Sequence, residues 1–154
     1  MVKAKASPEE VKLWLEWAGA KLLSLQISSP KPKPPGSAWP EYARDARSAY
    51  GYSGERLRPA TPRAKEIELM DEILIFPSLI RDDNSRKIVN ARALVTPLSN
   101  RYLYSWPKLA FMLHTSRHHV IRLHYLGLLE ITSRAAPEKV DAVRHHLSSP
   151  SLIS

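Results

Sequence analysis

Four basic side chains, Arg101, Lys108, Arg117 and Arg122, are the residues of this chain best placed for chemistry with a polyanion. They fall within residues 81–134, where 9 Lys and Arg face 3 Asp and Glu, so this third of the chain supplies +6 of the net +8. Local charge of this kind points to nucleic acid more firmly than the total does. His114, His118, His119 and His124, four of the six histidines, share the stretch. His114 and His118 stand four apart, but a turn is expected between them, no carboxylate follows at ligand spacing and cysteine is absent. A zinc site is therefore not expected. His145 and His146 are adjacent and face different directions on a helix. Glu66, Glu68, Asp71 and Glu72 lie beside Arg63 and Lys65 and read as a solvated helix face rather than paired catalytic carboxylates. With no Gly-rich phosphate loop, nucleophile elbow or His-Glu-x-x-His, the chain is not expected to be an enzyme or to hold a cofactor.

The elements that must position these residues are legible around them. Ser105-Trp106-Pro107 opens a short helix through Leu113, and Ser116 is the natural N-cap of a longer one through Ile131. The spacing fits a helix–turn–helix. Leu109 and the small Ala110 sit where the second helix would cross the first, Leu113 follows one turn later, and Val120 and Leu123 face inward from the second helix. His114 occupies a position usually held by Gly because the backbone there is left-handed, and Thr115 replaces a larger aliphatic. In this register Ser116, Arg117, His118, Ile121, Arg122 and Tyr125 face a major groove, Arg117 and Arg122 being the expected guanine readers, while Lys108 and Arg101 meet phosphates.

The rest of the chain reads as helix and linker. Ser7-Pro8-Glu9-Glu10 is a capping-box start, and Val11, Trp14, Leu15, Ala18, Leu22 and Leu25 make one apolar stripe. Four prolines, Pro30, Pro32, Pro34 and Pro35, within residues 28–36 read as an extended spacer, with a Pro-rich ligand for an aromatic groove as the lesser alternative. Trp39 to Tyr50 has helical spacing, its aromatics read as packing residues, and Thr61-Pro62 reads as the start of a helix that Pro77 ends or kinks. Asp82-Asp83 caps a stretch through Ile88, Ala91, Leu94 and Val95. Pro137 to Leu147 adds a short helix with Val140, Val143 and Leu147 on one side. No strand of period two is evident, and only 5 Gly are present. The expected fold is all-α: a helical bundle with a C-terminal helix–turn–helix, and an N-terminal helix joined by a Pro-rich linker. The divisions are 1–27 for the N-terminal amphipathic helix, 28–38 for the linker, 39–80 for a helical support region, 81–134 for the DNA-binding region and 135–154 for the tail.

In 154 residues with no cysteine, a disulfide scaffold is excluded and a reducing, cytoplasmic setting is expected. Apolar runs are too short to span a bilayer, and the basic opening Met1-Val2-Lys3-Ala4-Lys5 leads into a charged amphipathic segment rather than a signal peptide.

Several segments, Trp39-Pro40, Ala49-Tyr50-Gly51-Tyr52, Met70-Asp71-Glu72-Ile73-Leu74, Arg86 to Leu94, Ser105 to Ala110 and Ser116-Arg117, together resemble an uncharacterised family of proteobacterial phage and prophage proteins. The resemblance covers about residues 8–134, and its C-terminal part is similar to the sigma-factor region that reads the −35 promoter element. It implies sequence-specific binding of double-stranded DNA in transcriptional control, with RNA polymerase as a further partner. A small-terminase-like role in phage DNA packaging, or a helical adaptor that touches polymerase or a phage protein without DNA, are the alternatives. The oligomeric state is open at this stage.

Overall fold

The computed structural model describes residues 5–28 and 59–148, so the Pro-rich linker and the expected helix at Trp39–Tyr50 lie outside the described residues. Six α-helices are present among the described residues: α1 (Pro8–Ser28), α2 (Ala64–Leu74), α3 (Asp83–Ala93), α4 (Trp106–Met112), α5 (Arg117–Arg134) and α6 (Pro137–Ser148), with a short 3₁₀ helix at Phe76–Leu79. The class is all-α, and the one β feature among these residues is an isolated antiparallel bridge between Val95 and Tyr102.

Helix α1 begins at the expected capping box. The Ser7 N–H donates to Glu10 Oε2 at 2.9 Å and the Glu10 N–H to Ser7 Oγ at 3.2 Å. Its stripe residues Val11, Trp14, Leu15 and Ala18 are buried, with Leu22, Leu25 and Trp17 half-buried against them. They meet Leu69, Met70, Ile73 and Phe76 from α2 and the 3₁₀ turn, Leu128 and Ile131 from α5, and Val140 and Val143 from α6. The N-terminal helix is thus a wall of the main core. Two ion pairs fasten it: Lys21 Nζ to Glu66 Oε1 at 2.8 Å, and Arg144 Nη2 to Glu10 Oε2 at 3.1 Å.

Small residues permit the closest approaches. A Cβ at Gly19 would lie 1.9 Å from the Ala93 carbonyl oxygen, so α1 rests directly on the end of α3. A Cβ at Gly127 would lie 2.8 Å from Val89 Cγ2, where α5 crosses α3.

Three boundaries differ from expectation. Helix α2 starts at Ala64 rather than after Thr61, because the Glu66 carboxylate accepts the Arg63 N–H at 2.7 Å and fixes the first turn there. Burial alone would raise the Glu66 pKa, but the Lys21 ammonium and the Arg63 N–H hold it below the usual range. Helix α3 ends at Ala93, since Leu94 turns extended (ψ 97°) and Val95 joins the bridge to Tyr102. Helix α5 runs on past Ile131 to Arg134.

Candidate nucleic-acid interface

Helix α4, the turn 113–116 and α5 form a helix–turn–helix. The Ser105 hydroxyl caps α4 by accepting the Lys108 N–H at 3.4 Å, and Pro107 needs no hydrogen-bond acceptor in the first turn. The turn is made where the sequence placed it. His114 has φ 51°, the left-handed conformation expected at that position, and the Thr115 N–H returns to the Ala110 carbonyl at 3.0 Å. The Ser116 hydroxyl then accepts the His119 N–H at 3.2 Å and starts α5. Leu109, Ala110 and Val120 are buried with Ile88 of α3 in a second, smaller core. Leu113 and Leu123 are only half-buried there, Leu113 because it is the C-cap residue of α4 at the edge of the pair.

The α4–α5 pair gathers most of the residues expected to meet DNA. Ser116, Arg117, His118, Ile121, Arg122 and Tyr125 are all exposed along the first half of α5, and Lys108 is exposed on α4 with its ammonium 4.6 Å from the Tyr104 ring centre. Ser116 spends its hydroxyl on the cap, so its hydroxyl serves the backbone first. Arg101 stands apart on the loop between α3 and α4, where its backbone bonds to Thr96 in a tight turn with Asn100 at φ 51°.

The charge along this stretch of chain is one-sided, although the Asp82 carboxylate lies near enough to His119 to interact with it electrostatically. No Asp or Glu occurs from Asn84 to Leu129. Glu130, the next acid, is occupied by Arg134 at 3.2 Å and by the Arg81 N–H. Among the described residues no carboxylate forms an ion pair with Arg101, Lys108, Arg117 or Arg122. Arg86 and Lys87 differ, since Asp83 takes both at 2.9 and 2.6 Å and its carboxyl is held below the usual range by these two hydrogen bonds.

Two features were not foreseen. Phe111 and Met112, at the end of α4, are 81% and 54% exposed, although nothing in their types predicts it. Beneath the pair, Arg92 is buried at 7% exposure, and His124 at 8%. His124 packs edge-on against Trp106 with ring centres 5.1 Å apart, and burial, then the positive charges of Arg92 and Lys12, pushes its pKa down to about 4. A neutral buried imidazole is a packing residue here, and no group of three or more His, Asp or Glu among the described residues could hold a metal ion. The alternation Tyr102, Tyr104, Trp106 is the sequence signal that could have located the Arg92 site.

Residues 25–100 match the family described as Domain of unknown function (DUF6362). The match takes in α2, α3 and Arg92 and stops ahead of α4. No curated protein and no solved structure matches the chain. No helix among the described residues is long and apolar enough to cross a membrane.

Proposed function

We propose that the chain binds double-stranded DNA through the α4–α5 helix–turn–helix, with the first half of α5 in the major groove. The observation that carries this reading is that Arg117, Arg122 and Lys108 stand exposed on α4 and α5 with no ion-pair partner among the described residues, on two helices joined by a left-handed turn and a serine cap. Arginine forks at Arg117 and Arg122 suit guanine O6 and N7, and the apolar faces of Ile121 and Tyr125 suit a thymine methyl. Lys108 supplies phosphate contact and register. A role in phage-related transcriptional control follows from the family resemblance and belongs to the same proposal.

The test is recovery of bound duplex by selection and sequencing, followed by affinity against salt. Three to five neutralised phosphates give a slope of log affinity on log salt of about −3 to −5. A flat salt dependence, or no enriched sequence, contradicts the reading. The exposed Phe111 and Met112 favour a second reading, a helical adaptor that docks on another protein by an apolar contact. Phe111→Ser separates the two, because it removes adaptor binding and leaves duplex affinity in place.

A further inference from the structure

We propose that Arg92 is a positioning residue that seats the helix–turn–helix on the rest of the protein, and that Tyr102 and Glu16 extend this seat to α1, so that the N-terminal helix sets the pose of the DNA-binding surface. The inference rests on the reading of that surface as a nucleic-acid interface, and it adds how the surface is held.

Helix α4 packs on Ile88 of α3 through Leu109 and Ala110, but among the described residues it makes no such buried apolar contact with α1. It packs chiefly against α5. Between it and the body runs an open apolar groove of about 460 Å³, with Gly19, Leu22 and Leu74 on the body side and Leu109, Met112 and Leu113 on the α4 side. Direct core packing therefore does not fix α4 against α1. What bridges them is a chain of polar and aromatic contacts at one end of the groove. The Arg92 guanidinium lies 3.4 Å from the Tyr102 ring centre and 4.0 Å from that of Trp106, the first residue of α4. Its Nη1 donates to the Tyr104 carbonyl at 2.9 Å. The Tyr102 hydroxyl donates to Glu16 Oε1 on α1 at 2.6 Å, and Trp106 in turn carries His124 of α5 on its face.

The choice of arginine matters physically. A buried guanidinium with no carboxylate in direct contact is costly unless rings and carbonyls replace its water, and here two aromatic rings and one carbonyl do so. The site is therefore closed only when the α3–α4 loop is folded back, as the Val95–Tyr102 bridge and the Leu103 N–H to Leu94 carbonyl bond at 2.9 Å hold it. A cation that needs Tyr102, Tyr104 and Trp106 together defines one pose for α4, whereas an apolar contact would tolerate several.

The experiment uses the full chain labelled with 5-fluorotryptophan, the Trp106 resonance being assigned with Trp106→Phe. Tyr102→Phe and Glu16→Ala each remove the link to α1 while leaving the ring stack intact, and Arg92→Lys keeps the charge but loses the planar fork. All three are expected to shift the Trp106 resonance with little change in melting temperature, and to lower the ratio of preferred-site to random-duplex affinity by roughly 3- to 30-fold. A Trp106 resonance and an affinity ratio that stay at their native values in Tyr102→Phe and Glu16→Ala overturn the proposal. If the resonance shifts but the native chain binds no duplex, the seat stands and the DNA reading fails.

Discussion

The body of the molecule and its helix–turn–helix arm are built on opposite plans. In the body, α1, α2, the 3₁₀ turn, the later part of α3, α6 and the second half of α5 close a core of sixteen buried side chains among the described residues, and ion pairs such as Lys21–Glu66 and Arg144–Glu10 tie helices distant in sequence. In the arm, four buried residues, Ile88, Leu109, Ala110 and Val120, hold the pair together. Its Lys108, Arg117 and Arg122 form no ion pair among the described residues, and Phe111, Met112 and Tyr125 face solvent. The difference teaches that stability is concentrated in one region and surface in the other. Helices α3 and α5 run through both cores, and the Arg92 contacts with Tyr102, Trp106 and the Tyr104 carbonyl add a polar and aromatic join at α4.

Gly19→Leu should break the comparison most severely. Its side chain meets the Ala93 backbone, which cannot yield as a side chain can, so the body should lose more than about 3 kcal/mol or fail to fold, read by thermal unfolding. Gly127→Ala meets side chains rather than backbone, those of Val89, Ile80 and Ser85, and should cost less, about 1 to 2 kcal/mol. In the arm, Leu109→Ala should cost ~2 to 3 kcal/mol and the half-buried Leu113→Ala only ~1 to 2. Equal losses at 109 and 113 would mean that the turn is packed as tightly as the helix crossing.

Acid should act first on the join. His124 has a folded pKa of about 4 against 6.5 when unfolded, so the unfolded chain binds the extra proton between these values. Stability from this residue is complete above pH 6.5 and is lost as pH falls toward 4, by up to about 1.4 kcal/mol per pH unit. His124→Gln should flatten the stability profile between pH 6.5 and 5. Below pH 5 the body follows, because Glu10 and Glu66 have lowered pKa values and lose their favourable contacts on protonation. The smallest effect is expected at the arm's surface, where Phe111→Ser should change stability by no more than about 0.5 kcal/mol.

What could be read from the sequence follows from how far apart the interacting residues lie. Caps act over three residues, and Ser7, Asp82, Ser105 and Ser116 each perform as their spacing suggests. The left-handed His114 was legible because the helix–turn–helix register demands that conformation there whatever residue fills it. Helical periodicity likewise identified Val11, Trp14, Leu15 and Ala18 as an inward face, and Val140 and Val143 as another. By contrast, the Arg92 site joins residues 16, 92, 102, 106 and 124, and its one local signal, the alternation Tyr102, Tyr104, Trp106, does not say which basic residue of a basic region the rings will bury. The start of α2 was misplaced for a related reason, since Glu66 answers both to Arg63 nearby and to Lys21 45 residues away. Among the candidate site residues, those on α4 and α5 came together because one motif positions them, while Arg101 belongs to a loop shaped by Thr96.

The central claim is that the arm reads base sequence rather than merely carrying charge. It is tested most directly by fluorescence anisotropy of a labelled selected duplex and a random duplex against the native chain, Arg122→Ala, and Lys139→Ala on the body helix α6. Arg122→Ala is predicted to weaken the selected duplex by about 1 to 3 kcal/mol and the random one far less, while Lys139→Ala leaves both near native. Equal weakening of both duplexes by both substitutions, or native affinity in Arg122→Ala with its stability intact, would contradict it.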